Sequence, residues 1–380
     1  MNHQLIQEDA KNDLFANQVK IQKATGSRLY GDDGKFYLDL SSQNPYNLIG
    51  HNIKEIQEAL QHALLTSQQV SDLPSHHDQV INLCEKIQKN LPDTSQWRIE
   101  FAASAPLAID SALKTTYDYW HSKNQTKRRT MITFAYAHHG NCSSSINLNA
   151  SFNNHNAYED FLIPVEHIPY PSTWHLDKQI EFKEELSIIR LEEYLKENHH
   201  NCAGFILEPL LQSHNGMQAC RPIFLDKVIQ LVQKYKLIVI SDERYLSPMR
   251  SGLFLASQYL SHKPDIIIIG NNLTNNIVPL GTMIYSEKIN SALNRPSIGN
   301  TINHLACATA NKTIDILEQK MNAKQIQKIQ ETHALRLNKL NKQPIVKNIR
   351  YLGSIGAFDI ICEDRSKQKQ LIDWFYKSSM

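Results

Sequence analysis

Glycine is scarce in this chain. It holds 13 glycines in 380 residues, where average usage would give about 27. Glycine lets backbone approach a ligand closely or take a left-handed turn, so the shortage bears on any loop that must cradle a phosphate. An excess of one charge is missing too. Lysine and arginine number 40 against 38 acidic residues, which gives no electrostatic reason to expect a nucleic-acid partner. No apolar run approaches the roughly 18 residues of a membrane span, so no membrane partner is expected. The opening "MNHQLIQEDAKNDLF" lacks the basic-then-apolar order of a secretory signal. Paired cysteines are absent: Cys84, Cys142, Cys202, Cys220, Cys307 and Cys362 lie far apart with no CxxC. Reduced thiols in a cytoplasmic protein are expected. Three histidine doublets, His76-His77, His138-His139 and His199-His200, share no face because neighbouring side chains diverge. They are read as solvated surface, and no metal site is expected.

What is present is alternation. "MITFAY" (131–136), "CAGFILEP" (202–209), "KLIVISDE" (236–243), "PDIIIIG" (264–270) and "PLGTMIYS" (279–286) read as buried strands. Between the second and third, Phe224, Leu225, Val228, Ile229, Val232 and Tyr235 recur at helical spacing. "PLAIDSALKTTYDYW" (106–120) opens with proline where a helix tolerates it. Such alternation predicts an α/β fold, a mostly parallel sheet flanked by helices. A long charged helical pattern from about 305 to 341 leads into "IRYLGSIGAFDII" and a last helix ending at Trp374 and Phe375. The division expected is an N-terminal segment, 1–50, packing with a small domain; a large α/β domain, 51–304; and a small C-terminal domain, 305–380. Residues 146–200 are the vaguest stretch of the pattern.

In open α/β sheets, ligands sit at the carboxyl ends of the strands. Asp242 closes "LIVISDE", and Asn271 follows "IIIIG". Ser104-Ala105-Pro106, before the 106–120 helix, adds a third element, since a helix N-terminus suits an anion. The stretch "DIIIIGNNLTNNIVPLG" (265–281) brings four asparagines and no lysine to such a strand end.

In their order and spacing, "GSRLYGDDGKFYLDLSS", "FAASAPLAIDSALKTTYDYW", "YAHHG", "ILEP", "SDE" and "IRYLGSIGAFDI" resemble the class III, fold-type I pyridoxal-phosphate (PLP) aminotransferases. The likeness is strongest to the adenosylmethionine–8-amino-7-oxononanoate aminotransferases of biotin synthesis, and it runs from about Gly26 to Trp374. It implies a homodimer with a small α+β C-terminal domain. It also implies a defined chemistry. A lysine forms a Schiff base with PLP and shuttles a proton. An aspartate holds the pyridine nitrogen protonated, a Gly-Ser turn cradles the phosphate, and an aromatic ring stacks on the cofactor.

Carried onto this sequence, the resemblance places Asp242 at the pyridinium partner and Glu208 in the Glu-Pro pair. Asn271 falls at the lysine position, six residues after Pro264-Asp265 and 29 after Asp242. Asparagine's amide is neither nucleophilic nor basic, and Lys263 and Lys288 belong to the ends of flanking strands. Ser104-Ala105-Pro106 stands for Ser-Gly-Ser, with one amide donor deleted by proline. His138 replaces the stacking tyrosine, Arg244 a hydrophobic residue beneath the ring, and Asn275 and Asn276 two glycines. The family's cross-subunit phosphate-binding threonine falls on Gly299, with Thr301 two residues away as the candidate substitute. Gln43-Asn44 replaces a tryptophan pair of the substrate wall. The chain stops at Met380, short of strands carrying the family's carboxylate-binding arginine, so the small domain is expected to be truncated. PLP is therefore the implied cofactor, expected to bind weakly or not at all. The expectation is an aminotransferase-like protein that does not transaminate. The alternatives are a non-catalytic subunit completing an active paralogue, and a repurposed enzyme or binder of a small-molecule ligand in the old cofactor crevice.

Overall fold

The computed structural model describes residues 19–40, 42, 46–66, 78–91, 97–149, 162–293, 303–362, 364, 366–371 and 374. An antiparallel meander comes first: β1 (Ile21–Thr25), β2 (Arg28–Gly31) and β3 (Phe36–Leu38). Two helices follow, α1 (Lys54–Thr66) and α2 (Asp78–Gln88). The large sheet begins with β4 (Trp97–Ala102), then α3 (Ala105–Ser122), β5 (Thr130–Phe134), β6 (Val165–Ile168), α4 (Ile180–Asn198) and β7 (Cys202–Leu207). A small hairpin, β8 (Leu211–Gln212) and β9 (Gln218–Ala219), precedes α5 (Pro222–Lys234). After it come β10 (Ile238–Asp242), β11 (Ile266–Ile269), β12 (Gly281–Ser286) and the short α6 (Glu287–Asn290). After these come α7 (His304–Lys320), α8 (Ala323–Leu340) and the hairpin β13 (Val346–Leu352) and β14 (Ile355–Ile360), with residues 366–371 helical beyond it.

The central sheet runs β4-β12-β11-β10-β7-β5-β6. β11, β10, β7, β5 and β6 pair in parallel, whereas β12 pairs antiparallel with both β11 and β4. The expected mostly parallel sheet with flanking helices is what the structure shows. Every residue of β7, β10 and β11 is buried, because helices cover both faces; such strands read as continuous apolar runs. Period-two geometry then divides the core. Ile266 and Ile268 of β11 pack with Ile109 and Ala112 of α3. Ile267 and Ile269 face the other way, among Leu83 and Ile87 of α2 and Ala310 and Ile314 of α7. Phe205, Leu207 and Val239 meet Phe224, Val228 and Val232 of α5 and Leu191 and Leu195 of α4.

Two readings of the sequence are corrected here. The helical pattern at 305–341 is two helices, because Asn322 turns out of the first and caps the second, accepting from the Gln325 amide. The vague 146–200 region holds β6 and α4, separated from α3 and β5 by residues that include 150–161, outside the described set. No helix among the described residues is long and apolar enough to cross a membrane. All six cysteines are free.

Candidate functional site

The parallel strands bring five chain segments to one edge. Ser104 and Ala105 follow β4, His138 and His139 follow β5, Glu208 follows β7, Asp242 ends β10, and Asn271 lies just past β11. There they surround a cavity of about 360 Å³, lined by Ala105, His138, Glu208, Asp242, Arg244 and Asn271 together with Tyr46, Pro106, Gly140, Asn141, Cys142, Ser213, His214 and Tyr245. Seven of the residues singled out in the sequence, Pro106 among them, thus meet in one crevice. Ser104 stands at its margin as the N-cap of α3, its Oγ accepting from the Leu107 amide at 3.4 Å. Gln43, Asn44, Gly299 and Thr301 lie outside the described residues.

Arg244 dominates the crevice electrostatically. Its Nε donates to Asp242 Oδ1 and its Nη2 to Asp242 Oδ2, both at 2.7 Å, a two-pronged geometry special to the guanidinium. The Arg244 backbone amide reaches Oδ1 at 3.3 Å, and His139 Nδ1 lies 2.8 Å from Oδ2. Burial alone would raise the Asp242 carboxyl, but the Arg244 guanidinium and the hydrogen bonds from His139 and Arg244 hold it well below the usual carboxylate range. A third Arg244 bond, from Nη2 to the His138 carbonyl at 3.2 Å, ties the loop after β5 to the same group.

The reading of His138-His139 as solvated surface is overturned. His139 is fully buried because its ring bridges Asp242 and Thr133 Oγ1, the latter at 3.1 Å, and its amide donates to Asn149. His138 instead lines the crevice and packs its ring against His214, centroids 3.8 Å apart and planes 33° from parallel. Burial, then the nearby His214 and Arg244, push the His138 imidazole down to about 4. Burial and Arg244 depress His214 too, so both rings are neutral at pH 7. Glu208 accepts from the His138 amide at 3.1 Å, the Ser213 amide at 3.0 Å and Ser213 Oγ at 2.6 Å. Its burial pushes the pKa of its carboxyl up, partly offset by His139 and those Ser213 bonds.

The asparagine loop is a brace. Asn272 Nδ2 donates to the carbonyls of Arg244, Tyr245 and Ser247. Asn275 clasps the N-terminal segment, donating to the Gly50 carbonyl at 2.9 Å and accepting from the Ile49 amide at 3.2 Å. Asn275 and Asn276 sit at φ 51° and 60°, the left-handed region that asparagine enters more readily than most residues. Asn271 directs its amide to Asn276 Oδ1 at 3.3 Å. Lys288 is paired with Asp265 at 2.8 Å, and Lys263 bonds the Leu260 carbonyl; neither lines the crevice.

Sequence reasoning missed Tyr46, Ser213, His214 and Cys142, which no motif flags. It also read past the Asp242–Arg244 spacing, although residues two apart on extended chain share a side. Among the described residues no group of three or more His, Cys, Asp or Glu could hold a metal ion.

The family model for Aminotransferase class-III matches residues 10–377. An adenosylmethionine-8-amino-7-oxononanoate aminotransferase of Synechococcus elongatus is 29% identical over 353 residues, covering 91% of this chain and 82% of that protein. Among solved structures, a thermostable omega transaminase engineered for asymmetric synthesis of enantiopure bulky amines superposes with a TM-score of 0.86. It is 20% identical, with 96% of this chain and 84% of that one covered. An adenosylmethionine-8-amino-7-oxononanoate aminotransferase from Methanocaldococcus jannaschii gives a TM-score of 0.80 at 21% identity, with 93% and 80% covered. Those two likenesses speak for a shared fold.

Proposed function

The chain belongs to the class-III aminotransferases, and from that premise we propose that it keeps the scaffold of the biotin-pathway enzymes it resembles without transaminating. The observation that carries this reading is the lining of the crevice: among the described residues around it there is no lysine, and Asn271 stands at the strand end. Without a lysine amine no internal Schiff base can form, and the base that the family's lysine supplies for the proton transfer is missing.

The other donors and acceptors support the same reading, because the residues present do not fit PLP. A protonated ring nitrogen needs a free acceptor, and both oxygens of Asp242 are already engaged. A phosphate needs converging amides. Pro106 has none, and the Leu107 amide is turned to Ser104. The crevice serves on this reading as a binding site for another small molecule. The division at residues 50 and 304, a homodimer and a cytoplasmic location belong to the same proposal. Limited proteolysis and sedimentation test the first two.

The deciding experiment is incubation with PLP, reduction with borohydride and intact-mass measurement, beside an assay for amino transfer. The expected outcome is an unchanged mass and no transfer. A mass gain matching one pyridoxyl group on a lysine overturns the proposal.

A further inference from the structure

We propose that Arg244 has turned the polarity of the crevice over, so that it receives a small carboxylate bearing neither phosphate nor amine. The inference rests on the reading above that the crevice holds a ligand other than the family's cofactor, and it deepens that reading by naming the ligand's chemistry.

A carboxylate offers about four acceptor positions. Asp242 receives four contacts, three from Arg244 and one shared with the His139 ring. Glu208 receives three, all from its own protein. A ligand led by an ammonium or a protonated ring nitrogen thus meets almost no acceptor. A phosphate fares no better, since Pro106 and the capped Leu107 amide remove the converging donors at α3.

One strong donor is left. Arginine carries five N–H groups. Those on Nε and Nη2 go to Asp242 and His138, whereas Nη1 makes no hydrogen bond among the described residues. Arg244 is 9% exposed, and that opening is onto the cavity it lines. Gly140, at φ 103°, leaves the approach clear: a side-chain carbon there would sit 3.6 Å from Nη1. A carboxylate oxygen on Nη1 would make Arg244 a bridge between the ligand and Asp242, with the His138–His214 pair as a flat wall beside it. The volume of about 360 Å³ is at the small end of ligand pockets, roughly 300–1,000 Å³, and suits one substituted ring.

The test uses the full chain with benzoate, benzylamine and inorganic phosphate as probes, read by thermal shift and saturation-transfer NMR. The paired variant Asp242→Asn, Arg244→Leu removes both charges together and leaves no stranded ion. Millimolar benzoate is expected to raise the melting temperature of the wild type and to show saturation transfer, with benzylamine and phosphate inert. The paired variant should weaken benzoate about tenfold or more. If that variant does not fold, intermolecular NOEs from benzoate to the His138 or His214 ring in the wild type decide instead. The inference is overturned by no benzoate response, by an undiminished one in the paired variant, by absent NOEs, or by preferred binding of benzylamine or phosphate. A pyridoxyl adduct after borohydride would sink the underlying reading; a clean mass with no benzoate binding would sink this inference alone.

Discussion

Arg244 and Asp242, two residues apart, close a buried fork in which Nε meets Oδ1 and Nη2 meets Oδ2, each at 2.7 Å. The aspartate that ends β10 is therefore already neutralised from within its own loop. Removing either partner strands a charge in a site where Asp242 is 3% exposed, which costs about 3–5 kcal/mol. Asp242→Asn and Arg244→Leu should each destabilise on that scale. Together they should cost far less than the sum. Urea unfolding of the four proteins in a double-mutant cycle measures the coupling; additive losses would mean the fork contributes nothing.

Asn271→Lys alone should not produce transamination. On the proposed reading the new amine would arrive at a crevice where Asp242 stays forked by Arg244 and Pro106 still lacks an amide. A PLP and borohydride mass assay with an amino-transfer assay on that variant should both read as in the wild type. Turnover from the single substitution would show that the forked Asp242 and the missing Pro106 amide matter little.

Acid should weaken the fold partly through His138. Its imidazole stays neutral down to about 4 when folded, against 6.5 ordinarily. The unfolded chain therefore takes up this proton first. The contribution of the neutral ring is complete above 6.5 and is lost as pH falls from 6.5 toward 4. Glu208, whose pKa burial raises, works in the opposite direction, so the total profile mixes signs. His138→Phe keeps a ring against His214 and removes the titration. Its stability should fall less than the wild type's across that window in denaturation curves at stepped pH. Parallel profiles would refute the assignment.

Gly281→Ala should damage the seam between β12 and α3. A side-chain carbon there would lie 2.2 Å from the Ser104 carbonyl oxygen and 2.9 Å from Ala108. The obstacle is backbone and cannot rotate away, so a loss of about 1–3 kcal/mol or more is expected from overpacking. Denaturant unfolding reads it directly.

Asn272→Ala should loosen the loop that carries Arg244. The amide of Asn272 serves three carbonyls, those of Arg244, Tyr245 and Ser247. Leaving them without a donor costs about 1–3 kcal/mol. Hydrogen exchange at 244–247 should quicken relative to α5, and unchanged exchange would deny the bracing role.

Much of the fold was legible because burial on both faces leaves a plain trace: "CAGFIL" and "IIII" admit few assignments other than inner strands. α4 left no such trace. Its buried positions include Glu184 and Ser187, and Glu184 is bonded by Arg221, 37 residues away, at 2.9 and 2.6 Å. His139 was misread for the same reason. A histidine looks like surface until its buried partner, Asp242, is seen 103 residues on.

The sequence by itself determined which strands are buried, that Asp242 and Asn271 stand at two of their carboxyl ends with Ser104 before α3, and that position 271 carries asparagine. Those follow from period, order and residue type, which are local properties. Only the tertiary structure decided how the polar groups at that edge are spent: Asp242 on Arg244 and His139, Glu208 on Ser213 and the His138 amide, Asn275 on Gly50. A hydrogen bond is a choice among neighbours in space, and the neighbours are fixed only when distant segments pack.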